Sequence, residues 1–129
     1  MYSRGTIILI PFPFTDLSSQ RIRPALIISN NERRGDDIIV VFISSVLSQT
    51  PRTADVVILE SHSSFSETGL KVSSVVRCDK IATLDKHIVI GELGTLSKTL
   101  QHEIDQRLKY VLGLEPITTL RSSAGGRKR

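Results

Sequence analysis

Short apolar runs rich in β-branched residues follow one another closely through residues 6–91 of this chain, and no helical periodicity separates them. We interpret residues 6–10, 23–29, 38–43, 54–59, 72–78 and 87–91 as six strands. Parallel neighbours would need long crossover segments, usually helices, so strands this close together predict antiparallel pairing. The expected fold is therefore a small, strongly bent antiparallel sheet or barrel.

The hydrophobic period changes after the sixth run. Apolar residues then recur at helical spacing, at Leu100, Ile104, Leu108, Val111 and Leu112. Ser97 is a suitable N-cap before this stripe, and Gly113 is a suitable stop after it. The sequence thus predicts a mainly β protein with some α content, in which one C-terminal helix covers the sheet.

Three segments carry more local expectations. Pro24 has no N–H to donate, so it should open its strand or lie on an edge. Residues 38–43 are continuously apolar, which predicts a strand buried on both faces. Residues 60–68 are polar and are expected to form a loop, with Phe65 as its anchor.

Composition limits the class of protein. A length of 129 residues suits one domain, which we place at residues 1–114, followed by a basic tail at 115–129 that should be disordered. No stretch approaches the ~18 apolar residues of a membrane helix. The single cysteine cannot form an internal disulfide and fits a reducing cytoplasm. No Cys/His cluster has metal-ligand spacing, so neither a metal nor another cofactor is expected.

The positive net charge belongs to the tail. The chain has 17 Lys and Arg against 13 Asp and Glu. Four of the cations are Arg121, Arg127, Lys128 and Arg129, which leaves residues 1–120 with equal numbers of both signs. A nucleic-acid site on the fold would therefore have to come from local clustering of cations, and not from a generally basic surface.

The segment Val76-Arg77-Cys78-Asp79 ends the fifth apolar run. Side chains alternate along a strand, so Arg77 and Asp79 should share one side while Cys78 faces the core. The arginine and the carboxylate are either a structural salt bridge or a charge-stabilising and acid–base pair for a phosphate. The residues alone leave both interpretations open.

Three segments together resemble one known family. They are residues 5–14 leading into Arg23-Pro24-Ala25-Leu26-Ile27-Ile28, the strand ending Ile43-Ser44-Ser45, and residues 75–85 around Arg77-Cys78-Asp79. In order and spacing, residues 4–114 resemble the MazF/PemK (Kid-like) toxins of type II toxin–antitoxin systems. The resemblance implies an SH3-like antiparallel β-barrel with a C-terminal helix, a homodimer, and a cognate antitoxin as partner. It also implies metal-independent cleavage of single-stranded RNA, often mRNA, by 2′-hydroxyl attack, which gives 2′,3′-cyclic phosphate and 5′-hydroxyl ends.

The resemblance also implies roles for individual residues. The catalytic residues it implies are Arg23, Ser44, Arg77 and Asp79. RNA-binding residues are expected at Thr15, Ser18, Ser19, Gln20, Arg21, Ser45 and Lys80. Asp79 is the candidate base, and Arg23 or Arg77 would stabilise charge on the phosphate. The chain departs from the pattern in two places, because Leu17 stands where some Kid-like members have histidine and Ser44 replaces a common threonine.

Other interpretations stay open at this point. Arg23 could pair with Asp16 or Glu32 on the surface, and Ser44 and Ser45 could simply end a strand. Two further functional classes fit the same fold. One is a non-catalytic toxin that poisons a protein target such as DNA gyrase. The other is an inactive relative that binds RNA with salt-dependent affinity and no turnover.

Overall fold

A computed structural model gives the structure of the chain and describes residues 2–11 and 21–115. Six strands form one sheet: β1 (Thr6–Pro11), β2 (Ile22–Ile27), β3 (Asp37–Ser44), β4 (Asp55–Ile58), β5 (Ser74–Asp85) and β6 (Gly91–Thr95). Their order is β4-β5-β3-β2-β1-β6, and every pair is antiparallel. A short helix, α1 (Phe65–Thr68), lies between β4 and β5, and α2 (Lys98–Val111) follows β6. The predicted antiparallel pairing and terminal helix are confirmed.

Both faces of the sheet are covered by apolar side chains. Alternation along β3 sends Val41 and Ile43 to one core, which packs under α2, and sends Val40 and Phe42 to a second core on the opposite face. The prediction that residues 38–43 are buried on both faces is confirmed, since Ile39 alone of this run is not classed as buried.

Helix α2 has the predicted boundaries. The Ser97 hydroxyl accepts a hydrogen bond from the Leu100 N–H at 3.3 Å, and Gly113 has the positive φ of +74° expected just past a helix end. Leu100, Ile104 and Leu108 are buried against the first core. Leu112 lies at the C-cap and is exposed, so the buried stripe ends before it.

Strand β5 is longer than predicted, because it continues past Cys78 to Asp85. Phe42 pairs with Arg77, whereas the preceding residue Val41 pairs with Ile81. Residues 78–80 therefore form a bulge with no partner on β3, and this odd insertion inverts the alternation of side chains. Residues 76 and 78 face the first core, while residues 82 and 84 pack on the second.

The predicted sixth strand at 87–91 is wrong. Residues 86–88 form a 3₁₀ turn, in which the Asp85 carboxylate accepts a hydrogen bond from the His87 N–H at 2.9 Å, and strand β6 begins only at Gly91. The β-branched run favours a strand, but the capping carboxylate stabilises a turn there. The segment 60–68 contains helix α1, and Phe65 packs on the first core as its predicted anchor.

Pro24 lies inside β2 and pairs with Leu9 of β1. Pairing between β2 and β3 starts only at Ala25, so Pro24 has a strand neighbour on one side alone. Pro24 was expected at a strand start or an edge because it has no N–H to donate, and its unpaired side meets that requirement. Strand β2 as a whole is nevertheless an inner strand. No helix within the described ranges is long and apolar enough to cross a membrane.

Candidate functional site

The open end of the β2–β3 hairpin forms one wall of a cleft of about 570 Å³. Ala25 pairs with Phe42, so Arg23 at the start of β2 and Ser44 at the end of β3 emerge at the same end of the sheet. The bulge of β5 provides the opposite wall. The lining residues are Arg23, Phe42, Ile43, Ser44, Ser45, Val46, Arg77, Asp79, Lys80 and Ile81.

Six residues singled out from the sequence line this cleft together: Arg23, Ser44, Ser45, Arg77, Asp79 and Lys80. They come from three different strands or strand ends, which only the sheet topology brings together. Arg21 is exposed and is not among the lining residues. Thr15, Ser18, Ser19 and Gln20 lie outside the described residues, as does Leu17. The roles assigned to all of these residues stay predictions.

Arg77 lines the cleft and keeps one buried donor unused. Its side chain is half-buried opposite Phe42, and its Nε is buried without a hydrogen-bond partner in the part of the chain that the structure describes. A buried donor with no acceptor is costly to the fold. The guanidinium is always charged and its planar fork fits two phosphate oxygens.

Asp79 pairs with a residue that the sequence does not single out. Its Oδ2 and Oδ1 accept hydrogen bonds from Arg52 Nη1 and Nη2 at 2.9 and 3.1 Å. No ion pair joins Arg77 to Asp79 among the described residues, so a direct salt bridge between them is not observed. Arg52 lies 27 residues earlier in a loop without a recognisable motif. The β5 bulge brings Asp79 within hydrogen-bond distance of Arg52, and no local sequence pattern predicts that contact.

Ser44 ends β3 and turns the chain. Its hydroxyl oxygen accepts a hydrogen bond from the Val46 N–H at 3.0 Å, which is the turn expected at a strand end. A hydroxyl has one donor in addition to its acceptor lone pairs, so the Ser44 O–H can still donate. The structural interpretation of Ser44 and the hydrogen-bonding one are therefore compatible.

Cys78 is fully buried behind the cleft. Burial, the main cause, raises the pKa of its thiol to about 12. A thiolate is the nucleophilic form, and it does not form at neutral pH in such surroundings. Cys78 thus serves as a small core residue, as its position in the strand alternation predicts.

Two other depressions adjoin the cleft. One lies beyond Asp79 and is formed by the loop around Arg52 and by Tyr110 of α2. The other shares Arg23, Ile43 and Ser45 with the cleft and is mainly apolar. No group of three His, Cys, Asp or Glu side chains within residues 2–11 and 21–115 could hold a metal ion.

The cleft is suited to an anion. It presents the cations Arg23, Arg77 and Lys80, while Asp79, its only lining carboxylate among the described residues, is matched by Arg52 from outside the lining set. Its floor includes Phe42 and Ile43, which are apolar. Cations and hydroxyls above an apolar floor are a combination that can hold a phosphodiester with its neighbouring nucleosides.

The model of the PemK-like, MazF-like toxins of type II toxin–antitoxin systems matches residues 3–112. Because this match spans most of the sequence, the chain belongs to that family. The resemblance noted in the sequence is thereby confirmed. No curated protein sequence matches the chain at a significant level.

Solved structures share the fold. An endoribonuclease from a mycobacterial species, in complex with its cognate antitoxin, is 23% identical with a TM-score of 0.69, and the match covers 90% of this chain and 99% of that one. A mycobacterial endoribonuclease is 25% identical with a TM-score of 0.67, covering 89% and 94%. A MazE–MazF structure from Deinococcus radiodurans contains a chain that is 23% identical, with a TM-score of 0.67 and coverage of 88% and 98%. The predicted fold class, a small SH3-like antiparallel barrel with a C-terminal helix, is confirmed.

Proposed function

We propose that this toxin is a metal-independent endoribonuclease that cleaves single-stranded RNA. The observation that carries the proposal is the convergence of Arg23, Ser44, Arg77 and Asp79 on one cleft in a chain of the PemK/MazF family. Two of the structures with the same fold are of proteins described as endoribonucleases, which supports this activity.

The proposed reaction is an internal transesterification. The 2′-oxygen of a ribose attacks the adjacent phosphorus, the O2′–P bond forms, and the P–O5′ bond breaks. The 2′-hydroxyl proton passes to a base, and the leaving 5′-oxygen takes a proton from water in the open cleft. The base then returns its proton to the hydroxide, which restores the base and the water. The products are a 2′,3′-cyclic phosphate and a 5′-hydroxyl, and the reaction consumes no water.

The described residues of the cleft offer a group for each demand of this step except a dedicated acid. Arg23 and Arg77 would stabilise the charge that grows on the phosphate oxygens. Ser44 would donate its free O–H to the same group, and Lys80 would hold a neighbouring phosphate. Arginine is a poor proton donor because its ordinary pKa is above 12, so the guanidinium groups serve as charges.

Asp79 is the proposed base. Each of its oxygens accepts one hydrogen bond from Arg52, and a carboxylate has about four lone-pair sites in total. Lone pairs therefore remain to accept the 2′-hydroxyl proton. Asp79 also lines the cleft together with both arginines, which places the base and the stabilising charges around one volume.

The proposed partners are a cognate antitoxin and a second copy of this chain. Membership of a toxin–antitoxin family supports the antitoxin, as does the antitoxin bound in one of the similar structures. An antitoxin segment that covers the cleft would exclude RNA. The homodimer is an expectation from the family, and a monomeric mass by light scattering would contradict it. We further propose a cytoplasmic location, where an RNA substrate is available.

Cleavage of a long single-stranded RNA in the presence of EDTA tests the activity. The purified toxin, free of antitoxin, should give discrete cuts with 2′,3′-cyclic phosphate ends. Arg23→Ala should reduce the rate by about 10²–10³-fold. Arg34→Ala is the matched control, because Arg34 is exposed in the β2–β3 turn at the other end of the hairpin. Folded wild type without cuts would refute the proposal and favour a protein target or an inactive RNA-binding protein.

A further inference from the structure

Arg52 connects two carboxylates of very different exposure. Its guanidinium binds both oxygens of Asp79, at 2.9 and 3.1 Å, and also Oδ1 of Asp55 at 3.2 Å. The side chain of Asp55 is 4% exposed, whereas that of Asp79 is 30% exposed at the rim of the cleft. Arg52 thus links a fixed interior anion to an anion that faces the proposed substrate.

The backbone of Arg52 is itself fixed. Its N–H donates to Oδ2 of Asp55 at 3.0 Å, and its carbonyl accepts from the Asp55 N–H at 2.9 Å. Asp55 in turn begins β4 and pairs with Arg77 of β5. The turn from Arg52 to Asp55 therefore sets the direction of the guanidinium before any substrate binds.

Asp79 has little other support. It lies in the bulge at residues 78–80, which has no partner on β3. The Cys78 N–H donates to the Ala54 carbonyl at 3.0 Å, so the bulge is fastened to the same loop that carries Arg52. In the described residues, the hydrogen bonds to the Asp79 carboxylate come from Arg52.

We propose that Arg52 is a positioning residue that holds the Asp79 carboxylate in one orientation at the rim of the cleft. This inference rests on the proposed function, in which Asp79 accepts the 2′-hydroxyl proton. A bidentate guanidinium fixes the plane of a carboxylate through two parallel hydrogen bonds. Arg52 occupies the side away from the cleft cations, and the remaining lone pairs of Asp79 serve the substrate.

Other charged and titratable groups surround Asp79. On the cleft side these are Arg23, Arg77 and Lys80. On the other side are Asp55 of β4 and Tyr110 of α2. Arg107, also on α2, donates to the Thr53 carbonyl and contacts Glu103. Among these groups, Arg52 alone binds both carboxylate oxygens, so its removal should disturb the orientation of Asp79 the most.

The test is the steady-state kinetics of single-stranded RNA cleavage by Arg52→Ala and Arg52→Lys. Arg52→Ala should lower kcat by about 10²-fold while KM changes little, because the variant loses alignment and not substrate contacts. Arg52→Lys keeps the charge but not the planar fork, so it should recover only part of kcat.

Two further variants separate position from stability. Arg4→Ala removes a comparable surface pair, which Arg4 makes with Asp105 at 2.8 Å outside the cleft, and it should leave kcat and KM unchanged. In an Asp79→Asn background, Arg52→Ala should cause little additional loss, as expected for two residues that act through one another.

The outcomes distinguish failure of the role given to Arg52 from failure of the proposed function. Wild type that cleaves RNA, with an Arg52→Ala variant that matches it in kcat, would overturn the inference alone. Full additivity of Arg52→Ala and Asp79→Asn would also overturn it. Folded wild type that cleaves no RNA would overturn the proposed function and this inference together.

Discussion

Arg77 shows how a single side chain can serve a binding site and still weaken the fold. Its Nε is buried without an acceptor among the described residues, while the same residue lines the cleft. Unmet buried donors destabilise a fold by about 1–3 kcal/mol. Replacing Arg77 would remove this cost together with the charge offered to a phosphate, so stability and cleavage should change in opposite directions here.

Arg77→Met should therefore cleave RNA about 10²–10³-fold more slowly while its melting temperature is unchanged or higher. The methionine keeps much of the apolar stem but removes the buried charge and the unpartnered Nε. Thermal melts and single-turnover cleavage of the same preparation would measure both effects. A lower melting temperature with retained cleavage would contradict the role given to Arg77.

At the residue scale, the sequence identifies the residues that line the cleft better than the residues that hold them in place. Arg23, Ser44, Arg77 and Asp79 stand in segments with a recognisable order, and their residue types fit phosphate chemistry. Arg52 does not, because its contact with Asp79 depends on a three-residue bulge and a turn closed by Asp55. Such a contact is set by tertiary geometry, which periodicity and spacing do not encode.

At the scale of secondary-structure elements, the prediction is correct where the local sequence signals agree. Helix α2 has an N-cap serine, an apolar stripe and a glycine stop that indicate the same boundaries, and the structure has those boundaries. Strand β5 continues beyond its apolar run because the bulge reverses which face is buried, so Ala82 and Leu84 pack on the second core. Strand β6 was missed because its glycine-containing sequence is typical of a turn.

The glycine at position 94 is required by the packing of α1 on β6. A Cβ there would collide with the backbone carbonyl of Glu67, and backbone cannot move aside cheaply. Gly94→Ala should therefore destabilise the protein, by about 1–3 kcal/mol as for other overpacked sites. Gly91→Ala is the matched control in the same strand, because a Cβ there meets nothing within 4 Å.

Chemical denaturation of both variants would check this prediction. Gly94→Ala should lower the denaturant midpoint, while Gly91→Ala should stay close to wild type. Equal midpoints for the two variants would mean that α1 is not held tightly against β6. The result bears on function as well, since the segment after α1 lines the apolar depression beside Arg23.

For the whole molecule, charge distribution decides how RNA would be held. Residues 1–120 have balanced charge, so the fold as a whole offers no long-range attraction to RNA. The attraction should come from Arg23, Arg77 and Lys80, which line one cleft. Asp79 subtracts little from this set, because Arg52 matches it from the other side.

This local cluster predicts a shallow but measurable salt dependence of RNA binding. Neutralising a phosphate of single-stranded nucleic acid contributes a slope of about −0.7 in log affinity against log salt. Three cleft cations therefore predict a contribution near −2, and Lys80→Ala should reduce the magnitude of the total slope by about 0.7. Arg34→Ala, which removes an exposed cation at the far end of the hairpin, should leave the slope unchanged.

The measurement is fluorescence anisotropy with a single-stranded 2′-O-methyl RNA, which has no free 2′-hydroxyl and so stays intact. The basic tail adds the same contribution to wild type and to both variants, so the difference between their slopes reports the cleft. Equal slopes for Lys80→Ala and wild type would show that Lys80 neutralises no RNA phosphate. The salt-dependent affinity of the cleft would then have to come from Arg23 and Arg77.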